Sequence, residues 1–191
     1  MRYGSNALQV DADIVLVPRH PNDAAETFEL VDAHRTALDE WLTWIESTYA
    51  VGDVRRYAHF AESQFERHIA FDYAIRWQRL MAGGIGLHNL DLAGRSAHVG
   101  YWLGPPFAGR GIMSRAVTVL TDHAFGPLAL NRLEIRCVVE NKRSRAVAER
   151  LGYRQEGILR EAYLLHGRFR DIALYAMTAG EWPAARKPLL R

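Results

Sequence analysis

The stretch VGYWLGPPFAGRGIMSR, residues Val99 to Arg115, reads as a strand, a glycine loop and the start of a helix. Val99–Leu103 is a short apolar and aromatic run closed by Gly104-Pro105-Pro106. Prolines neither continue a sheet ladder nor sit inside a helix, so the strand ends near Leu103. From there apolar residues recur at helical spacing, at Ile112, Ala116, Val119, Leu120 and Ala124. Gly109-Arg110-Gly111 therefore stands where the helix opens. Glycine lets main-chain N–H groups approach a ligand, and the first turn of a helix carries unpaired N–H groups and the positive end of the dipole. Such a turn suits a phosphate, although glycines at a strand-to-helix junction also serve plain turn chemistry.

Toward the C-terminus, the helix Gly111–Phe125 meets Gly126-Pro127, which ends it. Arg132–Val139 then alternates, with Leu133, Ile135, Cys137 and Val139 on one side and Arg132, Glu134 and Arg136 on the other, as a half-buried strand does. Joined through the helix, the strands Val99–Leu103 and Arg132–Val139 predict a right-handed parallel crossover. Asn141 can cap the next helix, whose apolar line is Val147 and Leu151 and which Gly152 closes. Tyr153–Glu156 and Leu159–Leu165 form a strand region, His166-Gly167 a turn, and Phe169–Met177 the last strand. The tail Pro183–Arg191 is expected to be disordered.

Toward the N-terminus, Ser96–Leu103 follows a turn at Asp91–Arg95, and Phe71–Trp77 and Gly83–Leu90 make a hairpin around Gln78–Ala82. Val54–Ile69 carries the pattern of a surface amphipathic helix after a break at Gly52-Asp53. Pro21-Asn22-Asp23 begins a helical stretch, and a second short helix around Ala37–Ile45 holds Leu38, Trp41, Leu42, Trp44 and Ile45. Asp13–Arg19 reads as an edge strand because it ends in proline, with a loose arm before it.

With 191 residues, 49% of them hydrophobic, the chain can bury the core of one domain. The net charge of +2 gives no footprint for nucleic acid, which needs clustered positive charge. Lys142 and Lys187 are the only lysines; the remaining basic residues are arginine, which suits phosphate oxygens. A single cysteine, Cys137, rules out an internal disulfide and a cysteine-based zinc cluster and fits a reducing cytoplasm. The uncharged run Ser96–Gly109 is too short and too broken by glycine and proline to span a bilayer. No G-x-G-x-x-G and no Gly-Lys-Ser/Thr is present, which leaves dinucleotide and Walker-type sites without their motifs.

The loop resembles the acetyl-CoA loop of the GNAT acetyltransferases, Gln/Arg-x-x-Gly-x-Gly/Ala, with Gly111 in the central glycine place. Ala108 stands where the family has Gln or Arg, and Gly109-Arg110-Gly111-Ile112-Met113 has the G-x-G-I-M form of the RimJ/RimL-like branch. RLEIRCVVENKRSRAVAERLGYRQEGILRE and GRFRDIALYAMTAGEW are similar to the second half of that branch, and EWLTWIEST to its L-x-x-W-L-x-W segment. The resemblance spans roughly residues 13–182. It implies an α/β GNAT fold: one domain over residues 1–182 with a mixed, mostly antiparallel sheet of about seven strands, a splayed parallel pair and flanking helices.

The same resemblance implies acetyl-CoA as cofactor, no metal, and an amine acceptor, a protein N-terminus foremost, with no nucleic acid or membrane partner and a homodimer as a further possibility. Tyr101, Trp102 and Leu103 would pair through their main chain with the pantetheine arm. Ala108, Gly109, Arg110, Gly111, Ile112, Met113 and Ser114 would cradle the pyrophosphate, and Asn141 would contact the cofactor. Arg110, Arg115, Lys142 and Arg143 are candidates for the remaining phosphate charge, against a solvated-surface role. Trp41, Trp44 and Tyr163 fall where the acceptor cleft is walled.

The reaction implied is direct attack of a neutral amine on the acetyl thioester, which needs a base and a proton for the departing thiolate. Family members often supply that proton from a Tyr seven residues after the Asn, but Ala148 stands there. Ser144, three after the Asn, is the hydroxyl the branch keeps; capping is its other role. Tyr163 occupies the place of the branch's implicated Glu. Glu161, two residues earlier and so on the same strand face, and His88 are the candidate bases. Cys137 reads as packing, with a covalent acetyl-cysteine route as a minor alternative. Acetylation of small amines, polyamines or peptide antibiotics, and a non-catalytic acetyl-CoA-binding module, are the competing functions.

Overall fold

The computed structural model describes residues 6–186. Its eight strands are β1 (Leu8–Gln9), β2 (Ile14–Pro18), β3 (Phe71–Trp77), β4 (Leu80–Asp91), β5 (Ser96–Leu103), β6 (Arg132–Val138), β7 (Arg154–Leu165) and β8 (Arg168–Thr178). They form one sheet in the order β1-β2-β3-β4-β5-β6-β8-β7. Every neighbouring pair is antiparallel except β5 and β6. That parallel pair is the one the crossover reading predicts, and it exists because the helix α4 (Ile112–Phe125) returns the chain to the starting end of the sheet.

The core lies between one face of the sheet and α4. Ile14, Leu16, Ile75, Ile85, Leu87 and Leu133 project from the strands, and Ile112, Ala116, Val117, Leu120 and Ala124 meet them from the helix. Leu120 is fully buried, so Leu120→Ala is expected to cost about 3 kcal/mol, the sum of lost transfer and a cavity, measured by urea unfolding. The other helices are α1 (Ala24–Ala33), α2 (Arg35–Asp39), α3 (Val51–Glu66), α5 (Lys142–Arg150) and α6 (Trp182–Ala185), with 3-10 turns at Pro21–Asp23, Thr43–Ser47 and Pro105–Phe107. Among the described residues, no helix is long and apolar enough to cross a membrane.

Several sequence expectations change for local reasons. The arm before β2 is not loose: Leu8 and Gln9 pair with Leu16 and Val15, so β2 is not the edge. The turn between β3 and β4 is two residues, Gln78 and Arg79, both at positive φ (48° and 73°), and it lacks the Asn-Gly signal such turns usually carry. Gly52-Asp53 is no break. It lies in the first turn of α3, where the Asp53 carboxylate accepts the N–H groups of Tyr49 and Ala50, both at 2.8 Å, and those bonds hold its pKa below the ordinary carboxylate range. The single helix expected over Ala37–Ile45 is instead α2 and a 3-10 turn, with Trp41 between them. Pro183–Ala185 belongs to α6, docked by Trp182 Nε1–H donating to Asp122 Oδ1 at 2.8 Å; residues 187–191 lie outside the described part of the chain.

The β7–β8 turn is tied to the segment that carries the two tryptophans. His166 faces an acceptor from each ring nitrogen: Nδ1 lies 2.7 Å from Glu46 Oε1, and Nε2 2.8 Å from the Asp39 main-chain oxygen. Only the imidazolium donates from both, and the Glu46 bond foremost, then the Asp39 carbonyl, raises its pKa. A raised pKa means this contribution is complete below the unfolded value near 6.5 and fades as pH rises through the folded one. Melting temperature is therefore expected to fall slightly from pH 6 to pH 8, and His166→Gln should flatten that slope.

Candidate active site

β5 and β6 pair only over Ser96–His98 and Arg132–Glu134. Past that point β5 continues on β4 as far as Leu103, opposite Gly83, and β6 continues on β8 as far as Val138, opposite Ile172. Each strand is held by its antiparallel partner, so the two part toward their carboxyl ends and leave a fork. The main-chain edge of Val99–Leu103 that faces β6 is without a strand partner, and an extended ligand arm can pair with such an edge. A cleft of about 980 Å³ opens at the fork.

On the α4 and α5 side of the fork, Asn141 Oδ1 caps α5 by accepting the Ser144 N–H at 3.0 Å. Ser144 Oγ–H donates to the Tyr101 hydroxyl at 3.1 Å, and that hydroxyl donates to the Ser144 main-chain oxygen, also at 3.1 Å. Burial raises the Tyr101 pKa strongly, so the phenol keeps its proton. Cys137 shares this wall; burial pushes its thiol upward too, which leaves little thiolate at neutral pH. Cys137→Ala is accordingly expected to change kcat by less than about threefold, whereas a covalent route would lose far more.

The glycine loop fits a diphosphate. Gly109 and Gly111 have φ of +76° and +70°, and a Cβ on either would meet no atom within 4 Å, so the loop faces open space. No side chain caps α4, and among the described residues the N–H groups of Gly109 to Ser114 have no protein acceptor. Ile112 and Met113 point into the core, so any contact they make with a phosphate is through main chain. Of the candidate cations, Arg115 pairs with Asp11, and Arg110 lies over the Trp77 ring at 5.1 Å. Lys142 and Arg143 are exposed and do not line the cleft. Arg150, which sequence reading passed over, reaches Ser114 Oγ at 2.9 Å and sets a guanidinium beside the helix start. Its only signal was its place in the last turn of a predicted helix.

On the opposite face the cleft floor is paved with glycine. Gly84, Gly86 and Gly100 sit opposite Trp102, Gly100 and Gly86 across the β4–β5 ladder. A Cβ on Gly86 would come within 2.9 Å of His88 Nε2, and one on Gly100 within 3.0 Å of His88 Cδ2, so the imidazole lies flat on the sheet. Next to it, Asp72 accepts from Arg19 Nε at 3.2 Å and from the Tyr57 hydroxyl, with Arg19 and Asp72 both buried. An acid inside the buried run FDYAI was the readable sign of this network.

Trp41, Trp44 and Tyr163 all line the cleft, as do His88, Tyr101, Trp102, Asn141 and Ser144. Trp44 meets Trp102 edge-on, 5.6 Å between ring centroids, and Tyr163 lies 3.3 Å from Thr43 Oγ1 across the mouth. Glu161 does not line it. A bulge between Leu159 and Tyr163 breaks the two-residue alternation, and Glu161 stands exposed at φ +50° with its N–H on Asp171 Oδ1. Placing Glu161 and Tyr163 on one face is thereby corrected.

A forked parallel pair, with a bare glycine-rich helix start on one face and an aromatic cleft on the other, fits a diphosphate-bearing donor and a second molecule that meets it at the fork. Residues 13–154 match the family model described as an acetyltransferase (GNAT) domain. YdaF of Bacillus subtilis, provisionally named a ribosomal N-acetyltransferase, is 32% identical over 182 residues, covering 91% of this chain and 96% of that one. The ribosomal-protein-serine acetyltransferase of Escherichia coli is 27% identical over 172 residues, covering 90% and 96%. The structure of RimL, a ribosomal L7/L12 alpha-N-protein acetyltransferase in complex with coenzyme A, superposes with a TM-score of 0.88 at 27% identity, covering 91% and 98%. The chain belongs to the GNAT acetyltransferase family, and acetyl-CoA is its donor.

Proposed function

We propose that the protein acetylates the N-terminal α-amine of a protein, a ribosomal protein foremost. The observation that carries this reading is a single cleft that runs through the fork, with the Tyr101–Ser144 hydroxyl pair on one side and an aromatic vestibule on the other. The vestibule has no surplus of acid: Arg19, Arg56 and Arg136 line it against Asp53 and Asp72. A polyamine would want the reverse balance. All three relatives above carry ribosomal acetyltransferase names, which supports the same acceptor class.

Acetyl-CoA supplies an activated acetyl thioester. Gly109 to Ser114 would hold its diphosphate through main-chain N–H groups, with Arg150 beside them, whereas the Ala108 N–H is spent on the Pro105 oxygen at 3.1 Å; the free edge of Tyr101–Leu103 and Asn141 would hold the arm. His88, immobilised on glycine in the acceptor half, takes the proton from the incoming ammonium; this geometry favours it over Glu161. Ser144 Oγ–H would turn from Tyr101 to the departing sulfur while the Tyr101 hydroxyl turns from the Ser144 main-chain oxygen to Oγ, so that a hydrogen bond stabilises the thiolate, which takes its proton from solvent. The aromatic walls exclude bulk water around the amine. A ribosomal acceptor places the reaction in the cytoplasm, and light scattering in solution tests whether the enzyme works as a homodimer.

Thiol release against a panel of N-terminal peptides and small amines tests the assignment, with mass spectrometry locating the acetyl group. Transfer to peptide α-amines is expected. Turnover confined to polyamines or other small amines would replace it with the small-molecule reading.

A further inference from the structure

Two hydrogen-bond donors converge over one spot on the cleft floor. A Cβ on Gly84 would stand 2.5 Å from Arg19 Nη2 and 2.6 Å from Trp102 Nε1, so glycine is what allows both heads to rest there. Among the described residues, neither nitrogen donates to a protein acceptor, and both residues line the cleft. Arg19 is held rigidly: its Nε donates to Asp72, its guanidinium lies 5.7 Å from the Tyr57 ring centroid, and its side chain is only 5% exposed. Trp102 is held by the edge-on contact with Trp44.

Donor groups that line a cleft without a protein acceptor offer themselves to an acceptor atom of the bound molecule. The charge of Arg19 is already offset by Asp72, so the spot offers N–H groups without a net charge. A neutral sp² oxygen, which accepts two hydrogen bonds, suits it better than an anion does. Trp102 also follows Tyr101 directly on β5, so the spot lies one residue from the fork where the amine must react. An α-amine of a peptide carries a carbonyl oxygen three bonds from the nitrogen. A lysine side chain or a polyamine carries none.

From this we propose that Arg19 and Trp102 form a subsite for the first peptide carbonyl of the acceptor, and so select α-amines over other primary amines. Asp72 and Tyr57 are positioning residues that aim Arg19. The inference rests on the peptide-acceptor reading above and goes further, to the atom that is read.

Steady-state kinetics with a short peptide bearing a free N-terminus, and with n-butylamine as an acceptor lacking the carbonyl, test it on Trp102→Phe and Arg19→Lys. The first removes one N–H and keeps the ring; the second keeps a cation beside Asp72 and loses the planar fork. In each, the peptide KM is expected to rise about three- to tenfold, the worth of one hydrogen bond, with kcat within about twofold. The peptide-to-butylamine ratio of kcat/KM should fall by the same factor. Equal loss on both acceptors, or an unchanged peptide KM, overturns the subsite and leaves the peptide reading standing. No turnover of any peptide by the unaltered enzyme overturns the peptide reading itself.

Discussion

Replacing Gly111 with valine raises the KM for acetyl-CoA by about 10²- to 10³-fold, because the change acts on conformation and on access together. Gly111 sits at φ +70°, where a β-branched residue is strained. The space in front of it is open, so the new side chain meets no protein atom and instead covers the N–H groups at the start of α4. Charge-assisted hydrogen bonds are worth about 1.5–3 kcal/mol each, and losing two from the weaker half of that range accounts for the expected factor. Calorimetric titration with coenzyme A measures it directly. Thermal melting without ligand separates the effect from misfolding, since backbone strain alone should lower the melting temperature by only several degrees. Undiminished coenzyme A affinity would remove the glycine loop from the donor site.

Ser144→Ala is expected to lower kcat by about 10²-fold while changing the acetyl-CoA KM only a few-fold. The cap on α5 survives, since Asn141 accepts a main-chain N–H that alanine also has. What is lost is the Oγ–H donor and the bond to Tyr101. The deficit should persist as pH rises past about 8.5, where the departing thiolate still lacks that hydrogen bond. A deficit that vanishes there would instead show that Ser144 itself gives the sulfur its proton.

Much of the architecture was open to reading because its signals are local. β3 and β5 have the bounds that alternation and turn residues indicated, and α4 starts at the residue after Gly111 because glycine and proline punctuate the chain there. The tryptophans, His88 and Tyr163 line the cleft. Glu161 does not, since the bulge sets Arg160, Glu161 and Ala162 against Asp171 alone and turns Glu161 outward at φ +50°, while Leu159 and Tyr163 on either side keep the cleft face, and no residue pattern announces a bulge. The two-residue turn at Gln78-Arg79 escaped for a related cause: packing of the two flanking strands holds it at positive φ without the residues that favour that geometry.

The Arg19, Asp72 and Tyr57 network was invisible as a motif. Its members come from the residue after β2, from β3 and from α3 and are 53 and 15 residues apart in sequence, so only folding makes them neighbours. Arg150 and Ser114, 36 residues apart, meet in the same way across α4 and α5.

By itself the amino-acid order determined the crossover and the loop that begins α4, a turn suited to a phosphate, because backbone restrictions on glycine and proline act within a few residues; the donor itself came from the resemblance to the family. Where β5 and β6 part, which donors gather over Gly84 and which carboxylate is kept out of the cleft were decided only by the tertiary structure. Those outcomes depend on register and burial between distant segments, and a linear pattern carries no record of which strand will lie beside which.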